Sequence, residues 1–210
     1  MTKKQRAAAA VELLAAEYPD AICSLNYSDP FQLLCATRLS AQCTDARVNI
    51  VTPSLFAEFP TPAAMADAPI ERVEELIASC GLFKTKAKDL IGIGQGITER
   101  FGGRVPDTIE ELTSLPGVGR KTANLVVGDV YGKPAVVCDT HFIRIVNRIG
   151  LTDTTDPLKV ERELRAILPP EESNDFCHRT VLHGRAVCTA RRAFCEKCVL
   201  AEICKKVNVK

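Results

Sequence analysis

The sequence predicts an all-α fold, and three observations carry that reading. Asp-Pro and Thr-Pro pairs, each a cap residue followed by a first-turn proline, recur ahead of apolar stripes of helical period. Glycines and a double proline close those stripes. Alternating strand and helix units, which would build a parallel sheet, are absent.

Asp29-Pro30 opens the first of these helices, with Phe31, Leu34, Cys35 and Leu39 falling near one face. Thr61-Pro62 and Ala68-Pro69 start two more. Ile70, Val73 and Ile77 stripe the latter, and Gly81 is placed to end it as a left-handed cap. From Ala87, the apolar residues Leu90, Ile91, Ile97 and Phe101 keep helical spacing. They do so across Gly92, Gly94 and Gly96, which cost about 1 kcal/mol each relative to alanine. Close approach of another helix would account for glycine there.

Asp107 to Glu110 reads as a capping box that opens a short helix through Leu115. The break Pro116-Gly117-Val118-Gly119 follows, and a second helix runs from about Arg120 to Val130. Gly132-Lys133-Pro134 leads into a β-prone run, Ala135 to Cys138, after which Asp139 caps a helix reaching Gly150. Two helices complete the set, one from about Pro157 to Leu168, ended by Pro169-Pro170, and one from about Asn174 to Ala186.

The 210 residues suffice for one large domain or two small lobes with a hydrophobic core. With 46% hydrophobic and 25% charged residues, no internal repeat and no low-complexity tract, the chain is globular rather than disordered. No apolar run approaches the roughly 20 residues that span a bilayer, and Glu12 interrupts the apolar N-terminal stretch, so a cytosolic protein with no membrane partner is expected. In a reducing compartment the ten cysteines are not a disulfide framework. Cys23, Cys35, Cys43, Cys80, Cys138 and Cys177 lie scattered among apolar neighbours, as small buried hydrophobes do. Cys188, Cys195, Cys198 and Cys204 instead crowd together with the spacing C-x6-C-x2-C-x5-C. The formal charge is only +1, yet from Cys177 to Lys210 eight Lys or Arg face two acids, enough for a local basic patch.

The turn Pro116-Gly117-Val118-Gly119, feeding a helix N-terminus, aims unpaired backbone N–H groups at whatever lies above it, and a phosphate suits such a place. A tight helix connection needing glycine only for its backbone angles is the competing reading. Lys121 sits at the mouth of the turn, and Asp139 follows a Gly/Pro loop as a cap that is also a rigidly held carboxylate. The four clustered cysteines suit either zinc or iron–sulfur; a single close pair, Cys195 and Cys198, leans away from the two pairs typical of structural zinc.

The runs LPGVGRKTA, CDTHFIRIVNR and HGRAVCTARRAFCEKC together resemble the helix-hairpin-helix DNA glycosylase superfamily and, within it, the iron–sulfur type of the endonuclease III family. The likeness extends from RLSAQCTD at Arg38 to Asp45 through the last cysteine. It implies a six-helix lobe over residues 25–131 and a second lobe of residues 1–24 and 132–210 with a cluster loop at 188–204, DNA lying across the groove between them. It also implies a bifunctional base-excision repair enzyme, in which Lys121 attacks the deoxyribose C1′ of an oxidised pyrimidine nucleotide and Asp139 is the essential carboxylate. Strand nicking by β-elimination follows through a lysine imine.

Gln42 and Leu82 would enter the base stack when the damaged nucleotide flips out, and His141 would contact lesion or phosphate. Gly117, Gly119 and Arg120 of the hairpin, with Arg191 and Arg192 in the cluster loop, would hold phosphates, and Cys188, Cys195, Cys198 and Cys204 would bind a [4Fe–4S] cluster. The implied partner is double-stranded DNA carrying a damaged pyrimidine or an abasic site, bound by a monomer in a bacterial-type cytoplasm and associated with the nucleoid. Three positions depart from the family's habit: Cys43, Cys138 and Phe194 stand where Ala, Val and Pro are common. An adenine-excising relative would lack Lys121, and a non-catalytic iron–sulfur DNA-binding module would need neither Lys121 nor Asp139.

Overall fold

The computed structural model describes residues 1–209, which fall into two compact units: Met1–Cys23 with the chain from Gly132 onward, and Ser24–Tyr131. Among the described residues there are eleven α-helices and no β-strand.

Helix α1 (Lys3–Glu17) starts at a capping box in which the Gln5 amide donates to the Thr2 hydroxyl and the Thr2 amide to the Gln5 side chain, at 3.2 and 2.9 Å. The second unit holds α2 (Pro30–Ser40), α3 (Asp45–Glu58), α4 (Pro62–Ala66), α5 (Ile70–Leu76), α6 (Phe83–Phe101), α7 (Ile109–Thr113) and α8 (Arg120–Asp129). Asp29 caps α2 by accepting from the Gln32 amide at 2.9 Å, and Pro30 occupies the first turn, where its missing N–H costs nothing. This helix is the unit's centre. It packs on α3, α6 and α8 and buries Leu33, Leu34, Cys35 and Leu39 completely; each such leucine contributes about 1.5–3 kcal/mol through its burial.

The three glycines of α6 are contact points. A β-carbon on Gly92 would lie 2.6 Å from the Pro116 ring, on Gly94 2.6 Å from the Pro62 carbonyl, and on Gly96 2.6 Å from Leu115. The propensity lost at these positions is therefore exchanged for close seating of α4 and of the 115–116 turn.

Returning to the first unit, α9 (Thr140–Ile149), α10 (Pro157–Ile167) and α11 (Ser173–Ala186) complete the chain's helices. Helix α11 packs on α9 and α1, with Phe142 and Phe176 meeting edge to face at 6.0 Å. Gly150 ends α9 in the left-handed region at φ +84, the cap its sequence position suggests.

Three local expectations change. The left-handed residue after α5 is Leu82, at φ +59, and not Gly81; Gly81 is small for a different reason, since a β-carbon there would sit 3.3 Å from the Gln42 carbonyl. Thr108, not Asp107, caps α7, accepting from the Glu111 amide at 3.3 Å and donating to its carboxylate at 2.7 Å, so the box slides by one residue. The run from Ala135 to Cys138 forms no strand, although Ala135, Val136 and Val137 are buried. Side chains of α11 take the place of a neighbouring strand: the Ala135 amide donates to Ser173 Oγ at 3.1 Å and that of Val137 to Cys177 Sγ at 3.2 Å. No helix among the described residues is long and apolar enough to cross a membrane.

Candidate functional site

The hairpin of α7 and α8 is pinned from beneath by Leu112, Leu115 and Val118, all buried, which leaves Pro116, Gly117, Gly119, Arg120 and Lys121 exposed. Gly117 has φ +68, and a β-carbon there would fall 2.5 Å from Arg38 Nε and 2.7 Å from the Asp89 carboxylate. Arg38 and Asp89 form a largely buried ion pair, Nε donating to Oδ2 at 2.8 Å, on which the turn rests. Gly119 is the N-cap of α8; it offers no side-chain cap, and a β-carbon on it would meet nothing within 4 Å. The first-turn amides of α8 are thus uncapped by its N-cap side chain beside open space, with Lys121 in the same turn. That arrangement can receive an anion and place an amine next to it.

A second feature of the same unit is the pair of turns after α2 and before α6. Gln42 is exposed and left-handed at φ +53, and Leu82 is left-handed and 59% exposed. A non-glycine residue in that region costs about 1–2 kcal/mol, and here two such residues are held side by side, Gly81 lying against the Gln42 carbonyl. Beneath them Lys86 is wholly buried and donates from Nζ to the Leu39 carbonyl at 2.8 Å, closing the C-terminal end of α2. Burial pulls the Lys86 amine below its ordinary range, while Cys43 and Cys80 pull it back up.

In the other unit Asp139 is the N-cap of α9, its Oδ1 accepting from the Phe142 amide at 2.7 Å, and it stays half-exposed. His141, two residues along, is pulled below its ordinary value by burial; Asp139 opposes this, and Arg144 and Arg185 reinforce it. Arg144 reaches His141 Nδ1 at 3.2 Å and the Gly184 carbonyl at 2.9 Å. Gly184 makes room for both, because a β-carbon would lie 3.0 Å from the guanidinium and 3.3 Å from His141 Cβ.

Cys188, Cys195, Cys198 and Cys204 are free and half-buried. Among the described residues no three His, Cys, Asp or Glu side chains converge to the spacing of a single bound ion. The four thiols nevertheless sense one another. Burial pushes Cys198 up, against a hydrogen bond from the Leu200 backbone, and Cys188, Cys204 and Cys195 push it further. Burial likewise raises Cys204, with Cys188 and Cys195 adding to it and the Lys206 backbone N–H opposing.

Their sulfurs also meet donors. Arg148 Nη1 donates to Cys188 Sγ at 3.2 Å, the Lys206 amide to Cys204 Sγ at 3.3 Å, and His183 Nε2 lies 3.3 Å from Cys198 Sγ. Burial takes His183 down to about 4, which keeps it neutral, and its two ring nitrogens are both engaged, Nδ1 with the Tyr18 hydroxyl at 3.2 Å and Nε2 with the Cys198 sulfur. Four thiols close enough for Cys198 and Cys204 to sense the others, with N–H donors from Arg148 and Lys206 on two of the sulfurs, are a donor set that fits an iron–sulfur cluster. Arg191 and Arg192 are exposed in the same loop, and Arg192 lies over the Phe194 ring at 4.7 Å.

Arg38, Asp89, Lys86, Arg148 and His183 were not singled out from sequence. Arg144 and Arg148, four apart and so on one face of α9, carried a readable signal. The buried Lys86 and His183 carried none.

The profile of the HhH-GPD superfamily of base-excision DNA repair proteins matches residues 35–170. Over 204 residues, 97% of this chain and 93% of the relative, the sequence is 48% identical to endonuclease III of Synechocystis sp.. The chain belongs to the HhH-GPD superfamily and, within it, to the endonuclease III family. Another member, endonuclease III of Bacillus subtilis, is 42% identical over 190 residues, 90% of this chain and 87% of that one. A solved trapped endonuclease III–DNA covalent intermediate, an estranged-adenine complex, superposes on this fold with a TM-score of 0.91 at 40% identity, covering 98% of this chain and 97% of that one.

Proposed function

We propose that this endonuclease III family member is a bifunctional DNA glycosylase and abasic-site lyase that removes oxidised pyrimidines from double-stranded DNA. The observation that carries the reading is the exposed Lys121 in the first turn of α8, beside helix amides that the Gly119 N-cap leaves without a side-chain cap. A phosphate held by the amides near Gly117, Gly119 and Arg120 would bring the sugar to the lysine. The lone pair of Lys121 Nζ attacks C1′, the base departs, and the resulting imine acidifies the neighbouring C2′ proton, so that β-elimination breaks the bond to the 3′ phosphate. Asp139, held by its capping bond, supplies the carboxylate that stabilises positive charge growing on the sugar or takes up a proton.

Gln42 and Leu82 fill the space left by the flipped nucleotide; their paired, exposed, left-handed turns support this. His141 contacts the lesion or a phosphate, and Arg191 and Arg192 hold the DNA backbone. Cys188, Cys195, Cys198 and Cys204 would hold a [4Fe–4S] cluster, which when bound would clamp the loop covalently. The protein acts as a monomer in a bacterial-type cytoplasm, at the nucleoid.

Borohydride trapping tests the reading. Wild type with an abasic-site or thymine-glycol duplex gives a protein–DNA band that survives denaturing electrophoresis. Lys121→Gln binds the same duplex and gives no band, while Asp139→Asn binds and releases base far more slowly. Undiminished trapping by Lys121→Gln would assign the chemistry to another amine, and clean base release by wild type without trapping would make the enzyme a glycosylase that uses water.

A further inference from the structure

Cys43 and Cys80 lie 37 positions apart in sequence, yet they flank a close backbone contact, a β-carbon on Gly81 falling 3.3 Å from the Gln42 carbonyl, and the Cys80 thiol is shifted by Cys43. Cys43 is half-exposed and directly follows Gln42; Cys80 is buried and directly precedes Gly81-Leu82. The buried Lys86 ammonium lies within electrostatic reach of both sulfurs, and Arg47 adds positive charge near Cys80. One thiol open to solvent, a second behind it, and fixed positive charge beside both make an arrangement suited to oxidation rather than to inert packing.

We propose that Cys43 and Cys80 are a redox modification site, a thiol pair that hydroperoxides convert to a disulfide stapling the two turns that carry Gln42 and Leu82. The Cys43 thiolate attacks a peroxide oxygen; the O–O bond breaks, hydroxide leaves and is protonated to water, and Cys43 becomes a sulfenic acid. The Cys80 thiolate then attacks that sulfur, the S–S bond forms, and a second hydroxide departs as water. Two thiols and one hydrogen peroxide thus give one disulfide and two waters. Burial, with Cys43 beside it, pushes Cys80 up to about 11, while Lys86 and Arg47 pull it down. Cys43, half-exposed, is the sulfur a peroxide can reach, and the buried Cys80 is the resolving one. In a reducing compartment such a bond is a transient sensor and not a permanent staple.

The consequence for catalysis rests on the proposed role of Gln42 and Leu82. On that reading both turns enter the base stack, and a covalent link between residues 43 and 80 would fix their spacing.

The test treats cluster-loaded protein with stoichiometric hydrogen peroxide, blocks free thiols, and searches its digest for a joined Cys43–Cys80 peptide. Expected are the joined peptide, two hydrogens lighter than its parts and separated again by dithiothreitol, and a loss of about tenfold in excision from duplex DNA. Cys43→Ala keeps the untreated activity and shows neither the peptide nor the peroxide effect, which separates this site from oxidation of the cluster. A wild-type digest in which Cys43 stays reduced, or ends as a sulfinic acid with Cys80 free, overturns the proposal. A joined peptide with undiminished excision supports the thiol pair and counts instead against Gln42 and Leu82 as the residues entering the stack.

Discussion

Gly117→Ala measures how much of the hairpin depends on one missing β-carbon. Its φ of +68 alone costs alanine about 1–2 kcal/mol. The added methyl would also stand 2.5 Å from Arg38 Nε and 2.7 Å from Asp89, so the ion pair must open or the turn must lift. The two side chains are only 13% and 17% exposed, and losing such a pair entirely costs about 3–5 kcal/mol. Because both can shift within the site, the whole change is expected at about 2–4 kcal/mol, which for a protein of this size lowers Tm by on the order of 10 °C. Gly119→Ala is the control. Its β-carbon meets nothing within 4 Å and its φ of −92 is open to any residue, leaving a cap preference of about 1 kcal/mol at most. Thermal melting followed by helical circular dichroism reads both variants. Equal losses, or a Gly117→Ala protein within about 2 °C of wild type, would refute the account of the turn as seated on the Arg38–Asp89 pair.

Two further expectations concern packing and pH. Gly94→Ala drives a β-carbon into α4 backbone, 2.6 Å from the Pro62 carbonyl and 2.8 Å from the Ala66 amide, whereas Gly96→Ala meets only the mobile tip of Leu115. Urea denaturation should therefore show about 1–3 kcal/mol lost at Gly94 and little change at Gly96, where alanine's helix propensity offsets a side-chain shift; the reverse ranking refutes it. Burial holds His141 below its ordinary value, so the unfolded chain binds the proton first as pH falls. The stability contributed by keeping this ring neutral is full above the unfolded value and is lost as pH drops through it, so His141→Gln flattens the fall in stability between about pH 7 and 5. An unchanged slope rules His141 out as its source.

Much of the fold was legible because helix starts are local chemistry. Asp29-Pro30, Thr61-Pro62, Asp139 and Asp156-Pro157 each act within four residues of themselves, and each caps a helix where its spacing suggests. Helix α3 went unread although Val48, Val51, Thr52, Leu55 and Phe56 show its buried face, because Pro53 sits inside it and proline ordinarily marks an end. The β-prone segment failed for the opposite reason. Ala135 to Val137 are buried, but what satisfies the Ala135 and Val137 amides is α11, whose approach no local pattern announces. The Gly81–Leu82 turn likewise has a distant neighbour, the Gln42 turn, whose carbonyl a β-carbon on Gly81 would approach to 3.3 Å.

Of the candidate site, what the structure bears out from sequence is local geometry, and Asp139 shows why. A carboxylate at an N-cap accepts a backbone hydrogen bond, here from the Phe142 amide at 2.7 Å, and so spends little freedom on being held in place. Asparagine caps a helix about as well as aspartate. Replacing Asp139 with Asn therefore removes the negative charge while leaving α9 and the capping oxygen nearly in place, and alanine removes both. If Asp139→Asn and Asp139→Ala lose base release alike while only alanine loses stability, by about 1 kcal/mol, charge and not capping carries the catalytic contribution. Full base release by Asp139→Asn would leave Asp139 as a cap alone. What sequence could not disclose are the residues that support such groups from behind, Arg38 with Asp89 under the hairpin and His183 beside Cys198. Their partners are distant in the chain, and burial, which gives each its effect, is a property of the folded state only.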